Sequence, residues 1–309
     1  GEKGAITLDQ IESFRSYGAF ALASYNKENY SIQTGIRFDL HEIALDDNIG
    51  IDQQYVDYSK SLKAFSPNVG FIYNLNKNDE VYINYGKSYE TPSLSELSAN
   101  PSGEGFNRDL SPMISSGFDL GFRNKSQNLS YSITAFYIKT KDEIVRYELE
   151  GFEGMNFYRN LGTSKRLGAE FEVSFNLGSP GELKASYTQA NYEFKNQEVS
   201  GDLPGIPKSN FALEWIYGYK DFNLKLDLKY VNSLYADNNN EVKVPSYLLS
   251  NIALKNKFNF RGFFLQVGLH VRNLLDEKYY DNIRTNAFGN RFYEPASLRN
   301  FILSIKATF

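Results

Sequence analysis

The chain has 309 residues, a net charge of -4 and a hydrophobic fraction of 41%, which permits one large domain or two with a sizeable core. The 23 Tyr and 24 Phe favour β-strands, and the net negative charge excludes the basic field that nucleic-acid binding requires. No stretch approaches the ~18 apolar residues of a membrane helix, and the absence of Cys fits a compartment outside the cytosol.

Segments of about ten residues that alternate apolar and polar positions recur along the whole chain. Because successive side chains of a strand point to opposite faces, each segment predicts a strand with one apolar and one polar face. We predict 13 strands, at residues 17–25, 30–40, 69–73, 81–85, 117–122, 129–137, 169–175, 183–187, 211–217, 221–230, 248–254, 263–274 and 300–309.

The connections between these strands alternate strictly between short turns and long loops. The short turns fall at 26–28, 76–78, 124–126, 178–181, 218–220 and 256–261, and Tyr and Phe crowd the strand ends beside them. The long polar segments fall at 41–64, 87–112, 139–166, 193–208, 232–245 and 275–297. This asymmetry is typical of an all-β transmembrane antiparallel barrel, with short periplasmic turns, long extracellular loops and an aromatic girdle.

The odd strand number predicts that this chain does not close a barrel by itself. With the last strand ending on the short-turn side, the first must begin on the long-loop side, whereas single-chain bacterial barrels have even counts. Open edges would also leave unpaired backbone groups in hydrocarbon, at several kcal/mol each. We therefore expect a missing N-terminal part, in the same polypeptide or as a separate chain, to complete the cylinder.

Several short motifs carry a family resemblance that covers nearly the entire chain. The end of the chain reads VRNLLDEKY at 271–279, FYEP at 292–295 and RNF at 299–301, and closes on Phe309. Upstream motifs are YGAFA at 17–21, GIRFD at 35–39, SPNVG at 66–70, TPSLSEL at 91–97, RNLG at 159–162, GAEFE at 168–172, LPGIP at 203–207 and ADN at 236–238. In order and spacing they resemble the C-terminal part of a TonB-dependent outer-membrane receptor.

The resemblance implies a 22-stranded barrel around an N-terminal plug, of which residues 1–309 would supply 13 strands. It implies a bacterial outer-membrane receptor that imports a metal chelate, a ferric siderophore or ferric citrate-like complex, with energy from the TonB complex. Its partners would be the plug, the early strands, outer-membrane lipid and the barrel assembly machinery, for which Phe309 would be the signal. No cofactor and no covalent chemistry are implied. A passive porin remains an alternative, as does an outer-membrane enzyme, which the two His residues disfavour.

Two sets of site residues are predicted on this basis. Family barrels hold plug arginines with glutamates of a Gly-x-Glu and a Leu-x-Pro-Glu motif; Glu170 matches the first, with Glu172 on the same face, but Met113 replaces the second carboxylate. Both glutamates could equally be solvated in a wet lumen. Scarce His and Met disfavour haem or soft-metal capture. For an anionic ferric chelate the candidates, with ordinary lumen polarity and loop packing as the alternative, are Arg37, Tyr89, Arg123, Arg272, Tyr280, Arg291 and Tyr293.

Overall fold

The computed structural model describes residues 9–48, 58–102, 105–178, 181–195 and 200–309. Its strands are β1 (Gln10–Asn26), β2 (Tyr30–Asp47), β3 (Tyr58–Asn74), β4 (Asp79–Glu90), β5 (Met113–Lys125), β6 (Leu129–Lys141), β7 (Ile144–Tyr147), β8 (Phe157–Asn160), β9 (Thr163–Asn176), β10 (Gly181–Lys195), β11 (Ser200–Asp202), β12 (Ser209–Tyr219), β13 (Phe222–Val231), β14 (Leu234–Tyr235), β15 (Lys243–Val244), β16 (Tyr247–Phe260), β17 (Phe263–Arg272), β18 (Tyr280–Ile283), β19 (Tyr293–Pro295) and β20 (Asn300–Thr308). The helical segments are α1 (Leu94–Ser98) and the 3-10 turn η1 (Phe288–Asn290).

The 13 long strands form one antiparallel sheet in which each pairs with its neighbour along the chain. The order is β1-β2-β3-β4-β5-β6-β9-β10-β12-β13-β16-β17-β20, with β11 added beside β10. The predicted strand number and the antiparallel architecture are therefore confirmed. Within the described residues β1 and β20 are the two edges of this sheet and do not pair with each other.

The strands separate two chemically different faces. In β13, Leu224, Leu226 and Leu228 lie on one face and Lys225 and Asp227 on the other, and the register carries this division onto β12 and β16. The polar face is on the concave side of the sheet, and we call it the lumen wall. On the opposite face of β20, Phe301, Leu303 and Ile305 are 67%, 66% and 65% exposed. Large apolar side chains left open in such rows are expected where lipid is the solvent.

The strands extend further into the long-loop side than the sequence indicates. Residues 41–64 were predicted as one loop, but β2 continues to Asp47 and β3 begins at Tyr58. Alternate side chains of this extension, among them Ile43, Leu45 and Leu62, are buried against Leu97, Phe106 and Leu110 of the β4–β5 loop. The extension is stable as a sheet because the loop covers one of its faces.

The buried apolar clusters lie among the loops. Besides the cluster around Leu97, one joins Leu161, Phe194 and Leu203, and another joins Ala236, Val244, Ala287 and Phe292. Short hairpins form inside three of the loops predicted to be irregular, β7–β8, β14–β15 and β18–β19. The helix α1 is fixed by a capping box in which Ser93 and Glu96 bond each other's backbone N–H. Among the described residues no helix is long and apolar enough to cross a membrane.

Candidate functional site

The lumen wall forms a concave cavity of about 760 Å³ toward the short-turn end of the sheet. It is lined by side chains of seven strands that are neighbours in the sheet: β5, β6, β9, β10, β12, β13 and β16. The charged residues among them are Arg123, Lys125, Glu172, Lys184, Glu214, Asp227 and Lys229. Their position follows from the period of the strands, because every second residue faces this side. The wall is therefore a polar surface built by the alternation that leaves leucines on the opposite face.

Most charges at the centre of the wall are paired, either within one strand or between neighbouring strands. Lys225 Nζ lies 2.8 Å from Glu214 Oε2 on β12 and 3.1 Å from Asp227 Oδ1 on its own strand. Lys184 Nζ lies 2.9 Å from Glu182 Oε2. All these side chains are part-exposed, so solvent screens each pair and its contribution to stability is small. Their effect is to leave the centre of the wall close to neutral.

A second group of charges lies at the β4–β5 end of the wall. The Glu80 carboxylate lies 3.2 Å from Arg123 Nη1 and 2.8 Å from Lys125 Nζ, so two cations share one carboxylate. The Arg123 guanidinium also lies over the ring of Tyr82 at 5.0 Å, and the Tyr82 hydroxyl is 2.6 Å from the Thr134 hydroxyl. Arg123 is thus held in place by the wall, and its charge is only partly available to a ligand.

The two predicted plug-contacting residues, Glu170 and Glu172, are neighbours on β9 and both belong to the lumen wall. Their partners across the sheet, Thr188 and Ser186 on β10, are uncharged. Both carboxylates are exposed, and within the described part of the chain neither takes part in an ion pair. They present two adjacent negative charges toward the interior of the cylinder.

The remaining candidate cations of the wall differ in how they are held. Arg37 donates two hydrogen bonds to Asp39, from Nε at 2.7 Å and from Nη2 at 2.6 Å. Arg272 ends β17 on the same face as His270, next to the β17–β20 loop, and is exposed. Arg37 is therefore neutralised by its neighbour, whereas Arg272 faces the long-loop end of the lumen.

The structure separates Tyr89 from the other candidates. On β4 it lies opposite Ile114 and shares the outward face with Tyr85, while Glu80 and Tyr82 occupy the lumen wall. The alternation of β4 is unbroken from Asp79 to Glu90, so Tyr89 points away from the lumen. A contact with a ligand inside the barrel would need a different strand register.

The other three candidates lie together in the β17–β20 loop. The rings of Tyr280 and Tyr293 are stacked at 4.4 Å across the β18–β19 hairpin. Arg291, just before β19, pairs with Glu148 of the β6–β9 loop at 2.7 Å. Burial also raises the pKa of the neighbouring Tyr279, whose ring lies 4.9 Å from that of Tyr247. These side chains primarily hold the loop in its folded form.

Hydrogen bonds join the long loops to one another in a continuous layer. Backbone N–H of Gly205 donates to Tyr235 O at 2.7 Å, and Asn286 N–H donates to Ala236 O at 2.9 Å. Asn286 Nδ2 in turn donates to Arg146 O at 3.1 Å. We call this layer the loop cap. It connects the loops after β6, β10, β13 and β17 at the long-loop end of the lumen.

A second cavity, of about 550 Å³, was missed by the sequence analysis. It lies where the β4–β5 loop meets the β7–β8 hairpin, and its lining includes Arg108, Tyr147, Tyr158 and Arg159. Residues 159–162 were noted only as part of a family motif, and no periodic signal connects them with residues 106–110. The two segments meet only because the loops fold onto each other.

In the described ranges no group of three or more His, Cys, Asp or Glu side chains is arranged to hold a metal ion. His41 lies on the lumen wall beside Phe14, with ring centroids 5.4 Å apart. The polar groups that a ligand would meet are therefore guanidinium, carboxylate, phenol and amide groups of the lumen wall and the loop cap.

This chain is similar to a known protein family along most of its length. The family described as TonB dependent receptor-like, beta-barrel matches residues 3–274. Among curated proteins, the catecholate siderophore receptor Fiu of Escherichia coli K12 is 27% identical over 264 residues, which are 82% of this chain and 34% of that protein. The ferrioxamine receptor of Yersinia enterocolitica is 25% identical over 226 residues, 69% of this chain and 30% of that protein. The chain thus spans about a third of the length of these relatives.

Solved structures show the same fold at low sequence identity. The closed form of Fiu from E. coli K12 superposes with a TM-score of 0.74 at 21% identity, covering 96% of this chain and 45% of that one. The ferric citrate transporter FecA in its unliganded form gives a TM-score of 0.79 at 18% identity, covering 97% of this chain and 46% of that one. In both cases the similarity covers nearly all of this chain and about half of the other.

Proposed function

Because this chain belongs to the TonB dependent receptor-like β-barrel family, we propose that it forms part of the wall of a receptor that imports a ferric chelate with energy from the TonB complex. Proteins of this family lie in the outer membrane of Gram-negative bacteria. The observation that carries the proposal is the sheet itself, which has a polar lumen wall, an apolar outward face and a loop cap at one end.

The proposed barrel contains more strands than this chain. The edges β1 and β20 each need a partner in the membrane, because an unpaired strand edge leaves backbone N–H and C=O groups without water. The curated relatives are about three times as long as the matched region, which leaves room for further strands and a plug. We propose that residues 1–309 are the C-terminal 13 strands of a 22-stranded barrel.

Glu170 and Glu172 are the proposed contacts with the plug. Their exposed carboxylates face the interior and have uncharged neighbours on β10. A guanidinium brought to this surface would gain charge-assisted hydrogen bonds, which contribute about 1.5–3 kcal/mol each. The paired charges around Lys225, by contrast, already satisfy one another and offer the plug less.

The proposed cargo is an anionic complex of iron(III). Two relatives are named as a catecholate siderophore receptor and a ferrioxamine receptor, and one similar solved structure is named as a ferric citrate transporter, so each name refers to a ligand that binds iron(III). Within this chain, the exposed Arg272 and the arginines of the second cavity lie at the long-loop end, where a ligand would arrive. The loop cap would then form the outer entrance.

Uptake measured in cells tests this function. The full-length gene is expressed in a strain without its own ferric-chelate receptors, and radioactive iron is supplied as a tris-catecholate complex. We expect uptake that stops when the TonB gene is deleted or a protonophore is added. Uptake that continues without TonB would instead indicate a passive channel. No uptake of any ferric chelate would contradict the proposed function altogether.

A further inference from the structure

The second cavity is a built site among the loops. We call it the arginine cleft and define it by Phe106, Arg108, Tyr147, Tyr158 and Arg159. Its volume of about 550 Å³ lies within the range of ~300–1,000 Å³ typical of pockets for small molecules. It opens between the β4–β5 loop and the β7–β8 hairpin, and none of its described lining residues belongs to a long strand of the sheet.

The walls of the arginine cleft are fixed by hydrogen bonds between the two loops. Asn107 Nδ2 donates to Tyr158 O at 3.1 Å. Ser111 N–H donates to Asn160 Oδ1 at 2.6 Å, and Asn160 Nδ2 donates back to Ser111 O at 2.8 Å. Phe106, only 2% exposed, anchors the base of the cleft in the apolar cluster around Leu97. The cleft therefore keeps its shape without a ligand, which lowers the entropic cost of binding one.

The chemistry of the cleft is cationic and aromatic. Among the described residues that line it, two are arginines, Arg108 and Arg159, and one is acidic, Asp109. The Arg159 guanidinium lies 5.3 Å from the centre of the Tyr147 ring, is exposed, and forms no ion pair with any residue that the structure describes. By contrast, Arg284 and Arg291 in the β17–β20 loop are already paired with carboxylates. Arg159 thus presents a charge that no carboxylate of the described residues compensates.

We infer that the arginine cleft binds the anionic aromatic rim of a ferric chelate of the catecholate class. A guanidinium presents parallel N–H donors that match two oxygens held side by side on a rigid ring. The Tyr147 and Tyr158 rings provide flat surfaces against which an aromatic ring can stack. The inference rests on the proposed import of ferric chelates and adds the class of chelate and a site built by the loops.

Two iron complexes of different charge test the inference on the full-length receptor. The iron(III) complex of three N,N-dimethyl-2,3-dihydroxybenzamide ligands is a trianion with aromatic rings, and iron(III) tris(acetohydroxamate) is neutral and has none. Equilibrium binding of each is measured with radioactive iron on outer-membrane vesicles. We expect Arg159→Gln to weaken binding of the trianion on the order of tenfold, the effect of losing one charge-assisted contact. Binding of the neutral complex, whatever its strength, is expected to stay unchanged.

Three further variants separate the effect of charge in general from the effects of the guanidinium and the aromatic ring at the cleft. Arg299→Gln removes an exposed arginine directly before β20, outside the cleft. This variant is expected to bind both complexes like the wild type. Arg159→Lys keeps the charge but loses the planar fork, so we expect it to recover only part of the affinity for the trianion. Tyr147→Leu is expected to weaken binding of the trianion and to leave binding of the neutral complex unchanged.

The outcomes distinguish the inference from the function on which it rests. If the wild type binds and imports the tris-catecholate but Arg159→Gln binds it equally well, the cleft is not its site and the proposed function stands. An equal loss of both complexes in Arg159→Gln would show a structural role for Arg159 and would also overturn the inference. A wild type that binds neither complex would contradict the inference together with the proposed function.

Discussion

Arg291 Nη2 lies 2.7 Å from Glu148 Oε2, although the β17–β20 loop and the β6–β9 loop that carry them are separated by two other loops. The Glu148 side chain is only 3% exposed. The same carboxylate oxygen accepts the backbone N–H of Phe288 at 3.3 Å. A buried carboxylate of one loop is thus neutralised by donors of another, and this pair fastens the two sides of the loop cap.

Removing Arg291 is expected to loosen the loop cap without unfolding the barrel. Arg291→Gln leaves the buried Glu148 carboxylate without its cation, which costs about 1–3 kcal/mol of local stability. Hydrogen exchange of the Phe288 amide should accelerate in the variant, while amides of the long strands keep their protection. Adding Glu148→Gln should recover much of the loss. Unchanged exchange at Phe288 would show that the pair contributes nothing to the cap.

Neutralising the two wall glutamates is expected to weaken the hold on the plug. In the full-length receptor, Glu170→Gln with Glu172→Gln removes both uncompensated charges from this part of β9. Single-channel conductance in planar bilayers with added urea should then show more frequent openings than in the wild type. The matched control is Glu28→Gln, at the exposed turn between β1 and β2. Equal opening frequencies in all three proteins would remove these glutamates from the plug contact.

A methyl group at Gly168 is expected to destabilise the barrel, whereas one at Gly86 is not. A Cβ at Gly168 would lie 2.6 Å from Gln189 O, a backbone atom that cannot move without disturbing the β9–β10 pairing. A Cβ at Gly86 would meet nothing within 4 Å. We expect Gly168→Ala to cost about 1–3 kcal/mol and Gly86→Ala to be neutral or slightly stabilising. Urea titration of the receptor folded in lipid measures both; equal midpoints would contradict the expected clash.

The alternation of apolar and polar residues was sufficient to predict the strands and their two faces. It could not predict the contacts that form when the loops fold. Alternation along each strand reports which medium each face meets, so the strand number and the division into an apolar face and a lumen wall were predicted. The same signal placed Glu170 and Glu172 on the lumen wall. The outward position of Tyr89 could not be predicted in this way, because residue 89 was assigned to the loop and not to the end of β4.

The loops show no regular alternation of apolar and polar residues from which their contacts could be predicted. Leu97 and Leu110 are buried against Ile43 and Leu45, more than fifty positions away in sequence, and nothing local indicates that contact. The pairing of Arg291 with Glu148 likewise joins positions 143 residues apart. The arginine cleft depends on the same kind of distant contact, so a substrate site in the loops could be proposed only from the structure.

Labelling of single cysteines along β13 tests most directly the claim that this chain is a barrel wall between lipid and a wet lumen. The chain contains no Cys, so nitroxides can be placed one at a time at positions 224 to 229. We predict that labels at 224, 226 and 228 collide with oxygen dissolved in the bilayer, and that labels at 225, 227 and 229 collide with a water-soluble nickel complex. Collision rates that do not alternate from one residue to the next would contradict the account.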